Sequence, residues 1–294
     1  MHAFEGYPPA ATPPHDVPGL LELDQIAPLR FRNRHHQANV SNALFGGQIV
    51  AQALAAADRT VDAHRQVHSL HAYFLHAGST ASLIDYDVEP LRDGQRFSTR
   101  RVSAVQGGRT IFSMECSYRT VMEGFSHQRT TAIPFTPEDG LGGDVLRTKL
   151  AEQNLHYTAL FDQRYPVDVR IPSLDAFANT QADARRHYWL RAVGAETVTD
   201  PAEHRRILAF LSDFLLAGAP LVPHTVPLPG PHLFVASLDH AMWFHREVRC
   251  DDWLLFETCG PNAQGGVNLA QGHVYDRQGS LVASLAQEVL QYPT

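Results

Sequence analysis

His71-Ala72-Tyr73-Phe74-Leu75-His76 returns in the second half of the chain as His240-Ala241-Met242-Trp243-Phe244-His245. An echo of this kind marks an internal duplication, one supersecondary unit used twice. An apolar stretch of helical length precedes each copy: Gly47 to Asp58 (GQIVAQALAAAD) in the first half, Glu203 to Ala217 (EHRRILAFLSDFLLA) in the second. Strand-like runs follow each copy. Val105-Gln106-Gly107-Gly108-Arg109 and Tyr275-Asp276-Arg277-Gln278-Gly279 join them as hairpin turns. Each half thus reads as an α+β unit, a long helix wrapped by a curved antiparallel sheet.

Outward from the echo, Ser126 to Gly143 holds Pro134, Pro137, Asp139, Gly140, Gly142 and Gly143, the composition of a connection. The expected division is a Pro-rich tail over 1–19, a first unit over 20–125, a linker over 126–160 and a second unit over 161–294. The second unit's first strand is expected at His187 to Val193. The most apolar run, Ile207 to Val222, is too short to span a bilayer and contains Asp213 and Pro220, so it reads as a core helix.

Composition narrows the function classes. The 294 residues are 44% hydrophobic and 19% charged, the usage of a packed globular chain. Asp and Glu number 31 against 24 Lys and Arg, a net charge of −7 that gives no case for nucleic acid or an anionic membrane. Lys149 is the only lysine, and no Gly-x-x-x-x-Gly-Lys loop exists for a nucleoside triphosphate. Gly-x-Ser-x-Gly, His-Glu-x-x-His and Gly-x-Gly-x-x-Gly are absent as well. Cys116, Cys250 and Cys259 are odd in number and widely spaced, which fits a reduced, cytoplasmic setting. The tail lacks the apolar run of a signal peptide, and the chain does not end in Ser-Lys-Leu.

Chemistry must then come from scattered residues. His64, His68, His71 and His76 are the densest histidine set, but His68 and His71 point to opposite faces of a strand and no Cys or acid completes a ligand set. Hydrogen-bonded histidines, with no metal, are the expectation. Asp213 lies within Ile207 to Leu216, where an acid facing the core needs a partner or a raised pKa. It is either a general base or, on the helix's less apolar side, a solvated structural acid. Alternation in Leu281 to Val289 puts Gln287 on one face with Leu281, Ala283, Leu285 and Val289, so its amide needs a water, a substrate group or backbone as partner. Ser69-Leu70-His71 corresponds to Ser237-Leu238-Asp239-His240, one residue longer. A bulge there turns Ser237 onto the face of His240, Met242 and Phe244. Aligning Gly108 with Gly279 sets Cys116 opposite Gln287, and the first helix shows no central acid like Asp213. One active site per chain is expected, supplied mostly by the second half.

The ordered set Phe45-Gly46-Gly47-Gln48, Val67 to Leu75, Tyr86-Asp87-Val88-Glu89, Leu91-Arg92-Asp93-Gly94, Phe97 to Val102, Leu238 to Arg246 and Val282 to Glu288 resembles the acyl-CoA thioesterase II family from about residue 20 to the end. The resemblance implies a double hotdog fold and hydrolysis of fatty acyl-CoA to free acid and CoA, without cofactor or covalent intermediate. It implies a water held by Asp213, Gln287 and Ser237, the last where some members carry Thr. It also implies assembly into homodimers or larger homo-oligomers. Gly46 and Gly47 become candidates for the thioester oxyanion. Gln48, His71 and His240 are further substrate-binding candidates, and Arg96, Arg100, Arg101 and Arg109 are candidates for the CoA phosphates, surface solvation being the alternative. His76-Ala77-Gly78 departs from the Arg-Pro-Gly of many members. Two other readings use the same groove: a hotdog enoyl-CoA hydratase or dehydratase, and a non-catalytic acyl-CoA-binding module.

Overall fold

A computed structural model describes residues 14–39, 43–152, 165–177, 184–224 and 232–294. Most of the Pro-rich tail, the end of the linker and the expected start of the second unit at 161 lie outside the described residues. In chain order the elements are α1 (Val17–Leu20), β1 (Leu23–Ala27), β2 (Arg30–Asn33), α2 (Gly46–Asp58), β3 (Gln66–Phe74), β4 (Asp85–Asp93), β5 (Phe97–Gln106) and β6 (Arg109–Arg119). There follow α3 (Gly143–Glu152), β7 (Val167–Arg170), α4 (Leu174–Phe177), β8 (Arg185–Ala192), α5 (Pro201–Ser212), β9 (Leu233–Ser237), β10 (Asp239–Phe244), β11 (Leu254–Gln264), β12 (Val267–Tyr275) and β13 (Leu281–Pro293).

Among the described residues 13 strands join one antiparallel sheet in the order β1-β2-β4-β5-β6-β3-β10-β13-β12-β11-β8-β7, with β9 added against β13. The two halves of the sheet meet where β3 pairs with β10, and those two strands carry most of the echoed hexapeptides. His71 lies opposite Ala241 and Ala72 opposite His240, so the duplicated segments run side by side in opposite directions, as a local twofold requires. Alternation along β5 sends Ser98, Arg100, Val102 and Ala104 inward, and the β5–β6 turn closes on Gly107 (φ 58°) and Gly108 (φ 78°). Left-handed backbone at both central residues is the two-residue turn that matches strand twist.

Both helices pack inside the curved sheet and against each other. α2 is buried almost throughout because Ala51, Ala53, Ala55, Ala56 and Ala57 let sheet and α5 approach closely. A Cβ on Gly47 would run into the Phe210 carbonyl oxygen of α5, so only glycine fits that crossing. Phe210, Leu211, Tyr188 and Phe256 fill the second half, and Phe31, Leu54, Tyr86 and Phe112 the first. Truncating one such Phe to Ala costs about 3–5 kcal/mol.

The helix expected over Glu203 to Ala217 stops five residues sooner, at Ser212. Leu215 takes φ 66°, and Leu216–His224 continues as a 3-10 segment containing Pro220 and Pro223. Pro220 cannot donate to the Leu216 carbonyl, and its ring would collide with it, so an α-helix cannot run through. Pro201–His224 together has the length and apolarity of a membrane-crossing helix, yet 78% of its most apolar window is buried inside the protein.

Candidate active site

The helix break creates the site. Asp213 is the C-cap of α5, and Gly47 N–H of α2 donates to its Oδ2 at 2.9 Å. Phe45, the N-cap of α2, offers no side-chain bond, so an acid from the other half of the chain caps this helix. A carboxylate at a helix N-terminus is favoured by the exposed N–H groups and the dipole. Gly46 is required beside it, because a Cβ there would lie 2.7 Å from Asp213 Oδ2. Rings of Phe45, Tyr165, Phe210 and Phe214 pack edge to face around the junction, with Phe45 and Phe210 centroids 5.0 Å apart.

Register places the other two polar groups. Ala241 pairs with Ala286 and Ser237 with Val289, four steps on one strand against three on the other, so one residue is extra between β9 and β10. That bulge, with Leu238 N–H bonded to Glu288 O at 2.9 Å, turns Ser237 inward as the sequence suggests. Gln287 of β13 is fully buried, and its Nε2 donates to Ser237 Oγ at 2.7 Å. The same amide lies near the Asp213 carboxyl and favours its charged form. Asp213, Ser237 and Gln287 therefore converge in one network. Burial raises the Asp213 pKa above the ordinary carboxyl value, opposed by the charge of His240, the Gln287 amide and Gly47 N–H, in that order.

Several expected substrate contacts are engaged elsewhere. Gln48 is buried, accepting from Gln37 N at 2.6 Å and donating to Leu20 O and His35 O, which stitches the N-terminal segment to α2. Arg100 points inward and is 3% exposed, bonded to Thr60, Arg92 O and Asp93. Arg101 is exposed between Glu89 and Glu115. Arg96 sits at the β4–β5 turn, next to Phe97, whose row pairs with Arg119 and Gln66. That is about 27 Å along β3 from Phe74, at 3.4 Å per residue. His71 is exposed on the outer face of the sheet, edge to face with Trp243 at 5.3 Å. His240 has no exposed surface and cannot touch substrate. Arg109 alone of the four arginines stands at the site's end of the sheet, its Nη2 donating to His76 Nδ1 at 2.9 Å. His68 bonds Ser117 Oγ at 2.9 Å, so these histidines take separate tasks.

The first helix has no central acid, as the sequence reads, but it ends on one. Asp58 is the last residue of α2, as Asp213 follows the last residue of α5, and it is paired with Arg206 in the middle of α5, whose Nε lies 2.7 Å away. Tyr118 OH donates to its other oxygen at 2.7 Å. Burial pushes the Asp58 carboxyl upward against the pull of Arg206 and Tyr118. Cys116, opposite Gln287 in the alignment, is pushed up to about 12 by burial and is an inert thiol. The second junction is closed by an ion pair, whereas the first holds an acid beside an amide and a hydroxyl. Asp58 escaped the sequence because the longer expected helix placed Asp213 in mid-helix, where α2 has no acid. Ser212, bonded to His240, was also missed, although it adjoins Asp213.

A thioester hydrolase of hot dog fold is the class this architecture and site define, and comparison with known proteins agrees. The family model described as "Acyl-CoA thioesterase N-terminal domain" matches residues 34–119, and that described as "Acyl-CoA thioesterase" matches 157–290. The chain is 35% identical to mouse acyl-coenzyme A thioesterase 8 over 281 residues, covering 92% of this chain and 87% of that one. It is 36% identical to acyl-CoA thioesterase 2 of Haemophilus influenzae, covering 92% and 95%. The solved acyl-CoA thioesterase II TesB2 of Mycobacterium marinum superposes with TM-score 0.76 at 37% identity, covering 94% of this chain and 97% of that one. A hot dog protein of unknown function from Alicyclobacillus acidocaldarius shares the fold at TM-score 0.76 and 17% identity, covering 93% and 96%. The chain belongs to the acyl-CoA thioesterase family and is an enzyme of the thioester hydrolase class.

Proposed function

We propose that this protein hydrolyses fatty acyl-CoA to free acid and CoA by direct attack of a water held by Asp213, Gln287 and Ser237. The convergence of those three groups at the junction of α2 and α5 carries the reading. Asp213, with a pKa raised toward neutrality's side of the carboxyl range, takes a proton as the water oxygen bonds the thioester carbon. Ser237 and Gln287 fix the water for attack. Gly47 N–H is committed to Asp213, so Gly46 N–H at the start of α2 is assigned to the developing oxyanion. When the tetrahedral intermediate collapses, the carbon–sulfur bond breaks and the proton on Asp213 passes to the departing sulfur. No enzyme nucleophile is needed.

We assign the CoA phosphates to the rim at Arg109, the guanidinium at the site's end of the sheet, which His76 Nδ1 holds in place by accepting from its Nη2. The double hotdog, divided into a tail 1–19, units 20–125 and 161–294 and a linker 126–160, is supported by the β3–β10 seam and by the equivalent places of α2 and α5, each packed against the strands of its own half. Exposed Tyr73 and Trp243 on the outer face of that seam support a homodimer or larger homo-oligomer. Buried Cys116 and Cys250 support a cytoplasmic setting.

Release of CoA thiol from acyl-CoAs of graded chain length tests the function. Turnover on saturated chains is expected. Tight acyl-CoA binding without thiol release would instead favour a binding module, and loss of enoyl-CoA absorbance without thiol release a hydratase.

A further inference from the structure

A carboxamide has the same shape when rotated by half a turn, but its donor and acceptor ends exchange, so something must decide which end of Gln287 faces Asp213. With the amide turned the wrong way, its oxygen would face an ionised carboxylate, two acceptors with no proton between them. Gln287 Oε1 lies 2.6 Å from His240 Nδ1, while Gln287 Nε2 faces Ser237 Oγ at 2.7 Å. The other ring nitrogen, Nε2, lies 2.8 Å from Ser212 Oγ, and Ser212 Oγ is tied to Ala209 O at 2.8 Å. His240 and Ser212 are both at 0% exposure, so neither ring nitrogen reaches water and each must be satisfied within the protein.

We infer that His240 is the positioning residue of the site: held by Ser212, it donates Nδ1–H to Gln287 Oε1 and thereby locks the amide with its NH2 toward Asp213 and Ser237. This rests on the water-activating reading of those three residues. The chain of contacts runs from the last turn of α5 through β10 to β13 and back to the residue that ends α5, so both ends of the network are anchored to one helix. His240 also serves Asp213 through its charge, which opposes the effect of burial, as does the amide it orients. Among the described residues Tyr188 is a second titratable group that interacts with that carboxyl, and its hydroxyl is bonded to Phe214 O at 3.2 Å.

The test compares His240→Leu with His240→Asn in the full-length protein. Asn places an N–H donor where the histidine Nδ1 stands; Leu places none. Loss of the lock misplaces the water by an ångström or less, a displacement that costs about 100-fold in rate. His240→Leu is expected to lose about that factor in kcat with KM within about threefold, and His240→Asn to regain at least about tenfold of it. The acid limb of the kcat profile in His240→Leu is expected to move to higher pH, because Asp213 loses a stabilising charge and a correctly aimed donor. A purely structural histidine would lower stability and leave kcat per folded molecule and the pH profile unchanged. The inference is overturned by a His240→Leu kcat within twofold of wild type, or by an Asn variant no better than Leu. Should His240→Leu fail to fold, 15N NMR of the wild-type histidine decides: a proton on Nδ1 sustains the lock and a bare Nδ1 refutes it. Asp213→Asn run in parallel separates the two readings, since turnover surviving there would remove the base whatever His240 does.

Discussion

Replacing Gly46 by Ala separates the chemistry of the site from the packing that surrounds it. The new Cβ would lie 2.7 Å from Asp213 Oδ2 and 3.1 Å from the Phe74 ring, where ordinary contact begins near 3.4 Å. The carboxylate is the end of a side chain, so it yields by about 0.5–0.7 Å, the shortfall in that distance. Stability changes little, because Ala recovers up to ~1 kcal/mol of helix propensity over Gly, which offsets residual crowding. The base, however, is displaced by much of the ångström that costs about 100-fold, so kcat falls roughly 10- to 100-fold. Gly47→Ala has the opposite signature: its Cβ meets the Phe210 backbone oxygen, which cannot swing away. Overpacking there costs about 1–3 kcal/mol. At about 2–4 °C per kcal/mol that lowers Tm by roughly 2–12 °C. Thiol-release kinetics beside a thermal melt reads both effects. A Gly46→Ala protein with wild-type kcat would refute the placement of Asp213 against the α2 N-terminus as the reactive geometry.

Burial raises the Asp213 pKa in the fold, so its carboxyl binds a proton more tightly folded than unfolded, and the native state loses stability as pH climbs from the unfolded to the folded pKa. Asp213→Asn is therefore expected to melt higher than wild type at pH 7, with the gap closing below the folded pKa, as melts across a pH series would show. Arg206→Met leaves Asp58 buried and unpaired and is expected to cost about 3 kcal/mol, most of it recovered by adding Asp58→Asn, without loss of kcat. Chemical denaturation of the three proteins checks this. Arg109→Ala is expected to raise KM for acyl-CoA several-fold, most at low salt, whereas Arg100→Ala lowers stability through its lost bonds to Thr60 and Asp93 and leaves KM unchanged.

Much of this architecture is legible in the sequence because its signals are local. The repeated hexapeptide announces the two strands that pair at the seam, and Gly107-Gly108 announces a turn that no other residue pair closes as readily. The bulge at Ser237 is legible too, since one extra residue between two copies of a repeat has few other meanings. What sequence alone hides is the partner across space. Arg100 and Arg109 look alike in the chain, but strand parity sends one inward to Thr60 and leaves the other on the rim. The helix end at Ser212 is set by Pro220 several residues onward and by the left-handed Leu215, so a smooth apolar run concealed the break. With that break hidden, Asp213 looked like a mid-helix acid and Asp58 like an ordinary terminal one. Their common place at helix ends appears only when α2 and α5 are seen to pack against each other.

Water activation by Asp213 is the centre of the account. Wild type and Asp213→Asn, both shown folded by circular dichroism, should be compared for CoA thiol release from one acyl-CoA that wild type turns over. The account predicts that kcat collapses in Asp213→Asn by at least about 100-fold, the lower end of the general-base range, while acyl-CoA still binds. An Asp213→Asn protein that releases thiol within a few-fold of the wild-type rate would contradict it.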